Sequence, residues 1–584
     1  MQTLTGWRRL VFGAAATRTA VVLGVVLALP FCATGFFMDD YLHLALLDEL
    51  PGFATGDRWH LFSFADGDPS HTRPLIENGP YPWWTLPTLK FVFVRPLTAL
   101  VANVEHALVG RNAVLMHLHS IAWYAALILI VGALLRRAFG PGSALASFAL
   151  VLFAIDDAHT VAVGWVANRN ALIATVFGLL AVLAHLRWRV DGVRWALPAS
   201  LLSAALGLAA GEPAVGALAY LGAWELTVGK RLRALVPMAL LGVAYLAFYK
   251  WSGSGAGGSE IYNDPIREPV AFLLRAPAKA LALTGAQFIG ATADLWLIKV
   301  AFRPLLVAAG VFTLVVLGLL FRSLWSGLDD GERRGLKWLG VGSALSVVPV
   351  LATFPLNRLL LMPSVGGSAI VAVLLLRGWH VASRPVRWGA RAFILPAVVL
   401  CPLVWPANAA VYWLGSDLQH REAMETGLSD EALSGRVFAF VAPDPAAVLY
   451  PAMYRAVQGK VPPKSWVTLS FAGYAHRLTR TSTREVELEV VDGRMLESVF
   501  EQLLRSSDVP VPLSHRVKVN GAWVEVTSLD AGLPNTLRVT FDEAPESNAL
   551  TFIRWEGERA MPFVLPAVGE SLVLPKATGL LSAQ

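Results

Sequence analysis

The sequence predicts a polytopic α-helical membrane protein of about eleven spans over residues 1–414, followed by a β-rich extracytoplasmic domain over 415–584. Three observations predict it. Apolar runs of about twenty residues recur in a chain that is 55% hydrophobic and only 15% charged, with mean hydropathy +0.55. Basic residues fall in short clusters at alternate ends of those runs. After Trp413 the long runs stop, and alternating strand-like segments with turn residues take over.

The charge clusters orient each run. Arg8, Arg9 and Arg18 precede the first, Thr19 to Phe37, which is long, lacks a small-residue cleavage site and reads as a retained helix. The N-terminus is then cytoplasmic and Asp39-Asp40 lie outside. The second run, Ala113 to Leu135, returns to Arg136-Arg137, and the third, Ser143 to Ile155, stops outside at Asp156-Asp157. The fourth, Ala171 to Leu186, closes on Arg187 and Arg189, and the fifth, Trp195 to Ala210, reaches Glu212. The sixth returns to Lys230, Arg231 and Arg233, and the seventh ends near Trp251. The eighth, Leu305 to Phe321, returns to Arg322, Arg333, Arg334 and Lys337. The ninth ends at Asn357-Arg358, the tenth returns to Arg377, Arg384, Arg387 and Arg391, and the eleventh leaves through Trp413. Every return lands on positive charge, which is the cytoplasmic signature.

Two outer loops interrupt the bundle. The first, about 38–111, holds Tyr81-Pro82-Trp83-Trp84, read as interface anchors, and an expected surface helix from Pro96 to Leu108. The second follows Trp251; its Gly-Ser run has no Lys-Ser/Thr after it and is a flexible loop rather than a phosphate loop. An amphipathic stretch, Val270 to Ile298, then lies on the outer face. Beyond Trp413 the sequence predicts a polar helix at Asp417–Leu428 and strands at Val437–Val441, Val467–Phe471, Val486–Val490, Leu537–Phe541 and Leu550–Trp555. A helix is expected at Met495–Leu504, and Asn520-Gly521 closes a hairpin between Val517 and Val526.

Composition excludes several classes. The net charge of +6 comes from clusters between apolar runs, so it describes membrane topology and not nucleic-acid binding. Cys32 and Cys401, the two cysteines, form neither a metal spacing nor a disulfide framework. Under this topology Asp39, Asp40, Asp156, Asp157, Glu212 and Arg358 all fall at outer ends of spans. Ionisable groups at membrane depth are costly unless paired or wet. Their convergence on one side points to a site; the plain alternative is that each marks where a helix leaves the lipid.

Four segments carry a resemblance. Asp39-Asp40 follows the first helix. Arg95-Pro96-Leu97-Thr98, His106 to Gly110 and Met116-His117-Leu118 form a second block, and His159-Thr160 through Trp165 to Arg169 a third. Asn357-Arg358, then Met362-Pro363-Ser364, is the fourth, and Glu212 sits in Ala-Gly-Glu-Pro between them. In order and spacing these blocks resemble the GT-C type glycosyltransferases that use polyprenyl-phosphate sugars, nearest in pattern to the membrane part of the O-mannosyltransferases with tetratricopeptide repeats. The likeness covers roughly the first 370 residues. It departs where the family's His-Pro is Asp156-Asp157, where the Glu after His-Thr is Val161, and where a second-helix His is Tyr124. The repeat array is replaced by the β-rich segment, which leaves sugar and acceptor open.

The resemblance implies transfer of a sugar from a polyprenyl-phosphate donor to an extracytoplasmic acceptor (protein, lipid or glycan) at the surface of a lipid bilayer. It gives Asp39 or Asp40 the role of base, a contribution of roughly 10²–10⁴-fold. Adjacent carboxylates raise each other's pKa, and on a helix Asp39 and His43 share a face. Helix capping is the competing use of such an Asp pair. The departing phosphate needs cations that stay charged and bind in two-pronged fashion: Arg358 and Arg169, with Arg95 behind them. Their bland alternative is snorkelling at the interface. Glu212, His159 and His117 are supporting residues, His117 a buried hydrogen-bonding group. Asp156 and Asp157 are candidate ligands of a divalent cation, Mg²⁺ or Mn²⁺. Two other classes compete: a flippase of lipid-linked glycans, which would bury charge mid-span within inverted repeats, and a non-catalytic anchor for the β domain.

Overall fold

The apolar runs fold into helices of unequal length, and the inequality has a physical cause. The computed structural model describes residues 6–13, 15–265, 268–547, 549–577 and 579. Among them seven helices are long and apolar enough to cross a membrane: Ala16–Ala33, Ala113–Phe139, Val166–Arg189, Leu232–Trp251, Val300–Gly327, Asp330–Ala352 and Arg384–Met424. The pair Ala144–Ile155 and Asp157–Gly164, bent by 47°, makes an eighth if it is one broken span. The expected fifth and tenth spans are the shorter helices Ala196–Ala210 and Ser364–Gly378. The sixth is a broken helix over 212–229, with a 3-10 turn at Glu212–Ala214 and a π turn at Glu225–Gly229. By length and composition the expected eleven therefore become seven or eight, with three shorter helical segments among them.

The chain divides into two units. The first comprises Met1–Gly35, Val94–Gly253 and Asp264–Tyr412. Its core is built on Leu127, Ile128 and Val131 of Ala113–Phe139, Leu150 and Phe153 of Ala144–Ile155, and Val373 and Leu374 of Ser364–Gly378. Ser364–Gly378 is buried almost all round, the state of a helix surrounded by other helices. Gly366 lets it approach Leu339, since a Cβ there would meet the Leu339 carbonyl oxygen at 2.1 Å. The opposite case is Leu232–Trp251, only 11% buried over its most apolar window, with Leu240, Val243 and Leu246 exposed. A face this apolar belongs in hydrocarbon, where helices satisfy their own backbone polar groups. Glu225, fully buried, accepts from His185 Nε2 (3.0 Å) and Arg189 Nε (2.6 Å) and ties helix ends at the basic clusters together.

The second unit comprises Phe36–Phe93, Ser254–Asn263 and Trp413–Gln584. Its strands are β1 (Ser63–Asp66), β2 (Lys90–Val92), β3 (Gly255–Gly257), β4 (Arg436–Val441), β5 (Ser465–Ser470), β6 (Ala475–Ser482), β7 (Glu485–Val491), β8 (Arg516–Val519), β9 (Ala522–Asp530), β10 (Leu533–Phe541), β11 (Leu550–Glu556), β12 (Arg559–Pro562) and β13 (Ser571–Leu574). They make a three-stranded sheet β1-β2-β3, a six-stranded antiparallel sheet β13-β6-β7-β10-β9-β8, and a four-stranded sheet β12-β11-β4-β5 in which β11, β4 and β5 run parallel. The alternation read in β7 is real: Val486, Leu488 and Val490 are buried between exposed or half-buried neighbours. The Asn520-Gly521 turn sets Val519 opposite Ala522, as expected.

Several expectations change here: the Gly-Ser run after Trp251 is not simply a flexible loop, since Gly255–Gly257 forms β3 and pairs with Lys90–Val92. Met495–Leu504 is a series of turns, not a helix: Leu496 has φ +62°, and the Glu501 carboxylate takes the backbone N–H of Leu496 (2.8 Å) and Ser498 (3.0 Å). A side chain that captures those donors competes with the helix that would use them. Trp83 and Trp84 are 1% exposed and so are not interface anchors. Trp83 Nε1 donates to the Leu469 carbonyl (2.8 Å), and the Trp84 carbonyl accepts from Arg505 Nε (2.7 Å). The outer edge of β5 is covered by this same loop, the Trp466 N–H donating to the Asn78 carbonyl at 3.1 Å. Gly79 makes that approach possible: it has φ +89°, and a Cβ on it would lie 1.9 Å from the Trp466 carbonyl oxygen.

Candidate functional site

In the first unit the helix Ala144–Ile155 ends because Asp156 turns extended and its Oδ1 caps the next turn, accepting the Ala158 N–H at 3.0 Å. Asp157 follows immediately. Its two oxygens accept from Cys401 Sγ (3.0 Å) and Asn357 Nδ2 (3.3 Å). Asn357 is itself fixed at both ends, its Oδ1 accepting the Ala293 N–H (2.9 Å) and its N–H donating to Asp294 Oδ2 (3.1 Å). Burial pushes the Asp294 carboxyl above its ordinary value, with hydrogen bonding from Asn357 and the charge of Arg358 opposing. Arg358, half-buried, lays its guanidinium over the Trp165 ring at 5.4 Å from the centroid. Among the described residues no carboxylate pairs with it. His159 closes the group, its ring bonded to Ser364 Oγ (2.8 Å) and to the Tyr124 hydroxyl (2.9 Å). Two sequence blocks some two hundred residues apart thus meet at three places: Asp157–Asn357, Trp165–Arg358 and His159–Ser364.

Arg169 is in a different situation. It is 4% exposed and donates to Glu105 Oε2 (2.5 Å), Ser120 Oγ (2.8 Å) and the Met116 carbonyl (2.6 Å). The other Glu105 oxygen receives His119 Nδ1 at 2.8 Å, and Trp123 Nε1 donates to His119 Nε2. Burial would raise the Glu105 carboxyl, yet the His119 and Arg169 partners outweigh it and hold it below the ordinary range. His117, one residue from the Met116 carbonyl, bonds through Nε2 to the Gly35 carbonyl (2.9 Å) and tethers the first helix. Arg95 grips Glu212 through Nε (3.0 Å) and Nη2 (2.9 Å), joining the start of the helix Pro96–Val109 to the 212–214 turn.

Asp39, Asp40 and His43 belong to the second unit, at the start of the helix Asp39–Leu47. The preceding Met38 has φ +48°, a region a long side chain enters only at a cost, and the Gln419 side chain holds its N–H at 3.1 Å. Asp40 is buried, and its Oδ2 accepts the Phe37 N–H (3.0 Å) from the segment that leads into the helix. Asp39 is more open, and its Oδ1 accepts the Tyr450 hydroxyl at 2.5 Å. His43 stands edge-on to Phe62.

Two kinds of residue escaped sequence reasoning. Glu105, His119 and Asp294 are polar residues in apolar surroundings, which was a usable signal; their partners were not legible, because the pairings span separate helices. Tyr450 had no signal at all.

For a cation, ligand atoms of Asp156, Asp157 and Cys401 lie within 4.8 Å of one another. They border a cavity of about 30 Å³ lined also by Gln287 and Ser368, room for a water-sized guest. Two carboxylates suit Mg²⁺ or Mn²⁺, whereas a thiol suits softer metals. The donor set therefore fits a hard cation through Asp156 and Asp157, with Cys401 as the thiol that now donates to Asp157.

No family model matches the chain, and no curated protein matches it. Among solved structures, the crystal structure of ArnT from Cupriavidus metallidurans bound to undecaprenyl phosphate is similar at TM-score 0.34 and 14% identity, covering 77% of this chain and 89% of that one.

Proposed function

We propose that this protein is a membrane glycosyltransferase that moves a sugar from a polyprenyl-phosphate donor to an acceptor hydroxyl on the extracytoplasmic side. One observation carries the reading. The blocks 156–169 and 357–364, which bear the family resemblance, come together around an arginine seated on an indole ring with no carboxylate paired to it among the described residues. A guanidinium so placed is suited to a phosphate oxygen pair.

In this reading the acceptor oxygen attacks the anomeric carbon as the carbon–oxygen bond to phosphate breaks. The bond pair leaves with the phosphate, whose charge Arg358 takes up, and the acceptor proton passes to Asp39. Asp39 is preferred to Asp40 because it is the more exposed of the two, while Asp40 is buried and already holds the Phe37 N–H. Arg169 and Arg95, each already bound to a carboxylate, hold the surrounding helices and support the phosphate site through them. Glu212, His159 and His117 act likewise as supports. A cation held by Asp156 and Asp157 would add charge stabilisation at the phosphate. The protein then resides in the inner or plasma membrane with its N-terminus cytoplasmic, and the β-rich segment faces outward.

Mass spectrometry of envelope glycoconjugates with and without the gene tests this. Loss of one glycan or glycoprotein species on deletion, restored by wild type and not by Asp39→Asn, is the expected result. An unchanged glycoconjugate profile, or full restoration by both Asp39→Asn and Asp40→Asn, would refute it.

A further inference from the structure

The acid of the first-loop helix is held by a tyrosine 411 residues further along the chain. Tyr450 stands at the junction of two short helices, Pro445–Leu449 and Pro451–Val457. Proline at the first turn fixes φ at the start of each, and Asp444 Oδ1 caps the first by accepting the N–H groups of Ala446 (2.9 Å) and Ala447 (3.1 Å). The Tyr450 N–H donates to the Ala446 carbonyl (3.0 Å), and its own carbonyl accepts from Tyr454 (2.7 Å). The residue is 8% exposed. The phenol is thus mounted on a fixed backbone and delivered to one atom, Asp39 Oδ1.

Burial and the nearby Asp39 charge both push the Tyr450 hydroxyl well above its ordinary pKa, so it stays a proton donor. A phenol that donates to a carboxylate makes a charge-assisted bond, fixes the rotation of the carboxyl group and favours its ionised form. The neighbouring ring contact has no such chemistry. Tyr41 lies against Tyr454 with centroids 4.6 Å apart, and the Tyr454 hydroxyl is bonded to His420 Nδ1 at 2.9 Å, not to an acid of the first loop. The same stretch therefore offers one tyrosine aimed at the candidate base and one whose hydroxyl is engaged by His420 instead.

We infer that Tyr450 is a positioning residue for the proposed transfer: its hydroxyl holds the Asp39 carboxylate oriented to accept the proton of the acceptor hydroxyl. The inference rests on the transferase reading.

The full-length protein, purified in detergent and reconstituted with polyprenyl-phosphate sugars, provides the test. Tyr450→Phe is expected to lower kcat about tenfold with donor KM unchanged within about twofold, and Tyr454→Phe to leave both as they are. On an Asp39→Ala background Tyr450→Phe should slow the residual rate no further. Independently of activity, thermal unfolding of Asp39→Ala, Tyr450→Phe and the double variant should show a combined Tm loss smaller than the sum of the single losses. Additive Tm losses, an unchanged kcat in Tyr450→Phe, or equal slowing by Tyr454→Phe would each overturn the role of Tyr450. A wild-type protein that transfers no sugar from any donor overturns the parent reading and the positioning role with it, even if the Tm cycle still shows the contact.

Discussion

Two arginines of the first unit, Arg169 and Arg358, come from sequence blocks of the same kind and end in opposite surroundings. Arg169 is saturated: a carboxylate, a hydroxyl and a carbonyl receive its N–H groups inside a nearly dry pocket. Arg358 is half-buried and stacked on an indole, with Asp294 near enough to interact but not paired to it. A buried guanidinium needs every donor matched, so its partners define a structural lock. One that rests on a ring face is held by a contact of about 0.5–1 kcal/mol, and the proposed reaction would use its hydrogen-bonding edge for the phosphate. Residue type alone did not separate these surroundings; the partners did.

Breaking the lock should have the largest effect. Arg169→Ala leaves Glu105 buried beside His119, and a loss of about 3–5 kcal/mol is expected, read as a sharp drop in Tm and in the yield of folded protein. Arg358→Ala should lower stability by no more than about 1 kcal/mol while transfer falls roughly 10²–10³-fold, the scale of a lost charge-stabilising donor. Arg358→Lys should recover part of that rate, since a point charge replaces a two-pronged one. Should Arg358→Ala instead unfold the protein while Arg169→Ala folds and loses only activity, the assignments are reversed. The smallest effect concerns pH. The Glu105 carboxyl is lower in the folded state than in the unfolded chain, where it titrates near about 4.3. Its contribution is present above that value and is lost as pH falls through the depressed folded value. Tm should therefore decline with a Glu105-dependent component below about pH 4, and Glu105→Gln should flatten that limb.

Much of the first unit was legible because charge and hydropathy are local signals. Arg136-Arg137, Arg187 and Lys230 mark helix ends whatever the helices pack against. Span count was harder to read: Ser364–Gly378 is apolar because it is central to the bundle, and the same apolarity in sequence reads as lipid contact. At the site, the blocks around His159 and Arg358 resemble those of a known family, so their residues could be named. Which atoms meet could not, since the Asp157–Asn357 bond joins positions 200 residues apart. The second unit shows the limit most clearly. Val486–Val490 alternates and was found; β6, β12 and β13 were not, because their pairing depends on strands distant in sequence. Nor does anything local in Lys90–Val92 announce that it pairs with both Ser63–Asp66 and Gly255–Gly257. Met495–Leu504 read as helix because periodicity does not register a carboxylate that intercepts backbone donors.

The single hydrogen at Gly79 has a consequence for dissecting this protein. Because the loop presses its backbone against Trp466, a fragment beginning near residue 415 would present β5 with a bare, apolar border ready to recruit another chain. Any larger side chain at position 79 would pry the same border open in the intact polypeptide. The part that looks detachable in sequence is therefore incomplete without a stretch encoded more than three hundred residues earlier.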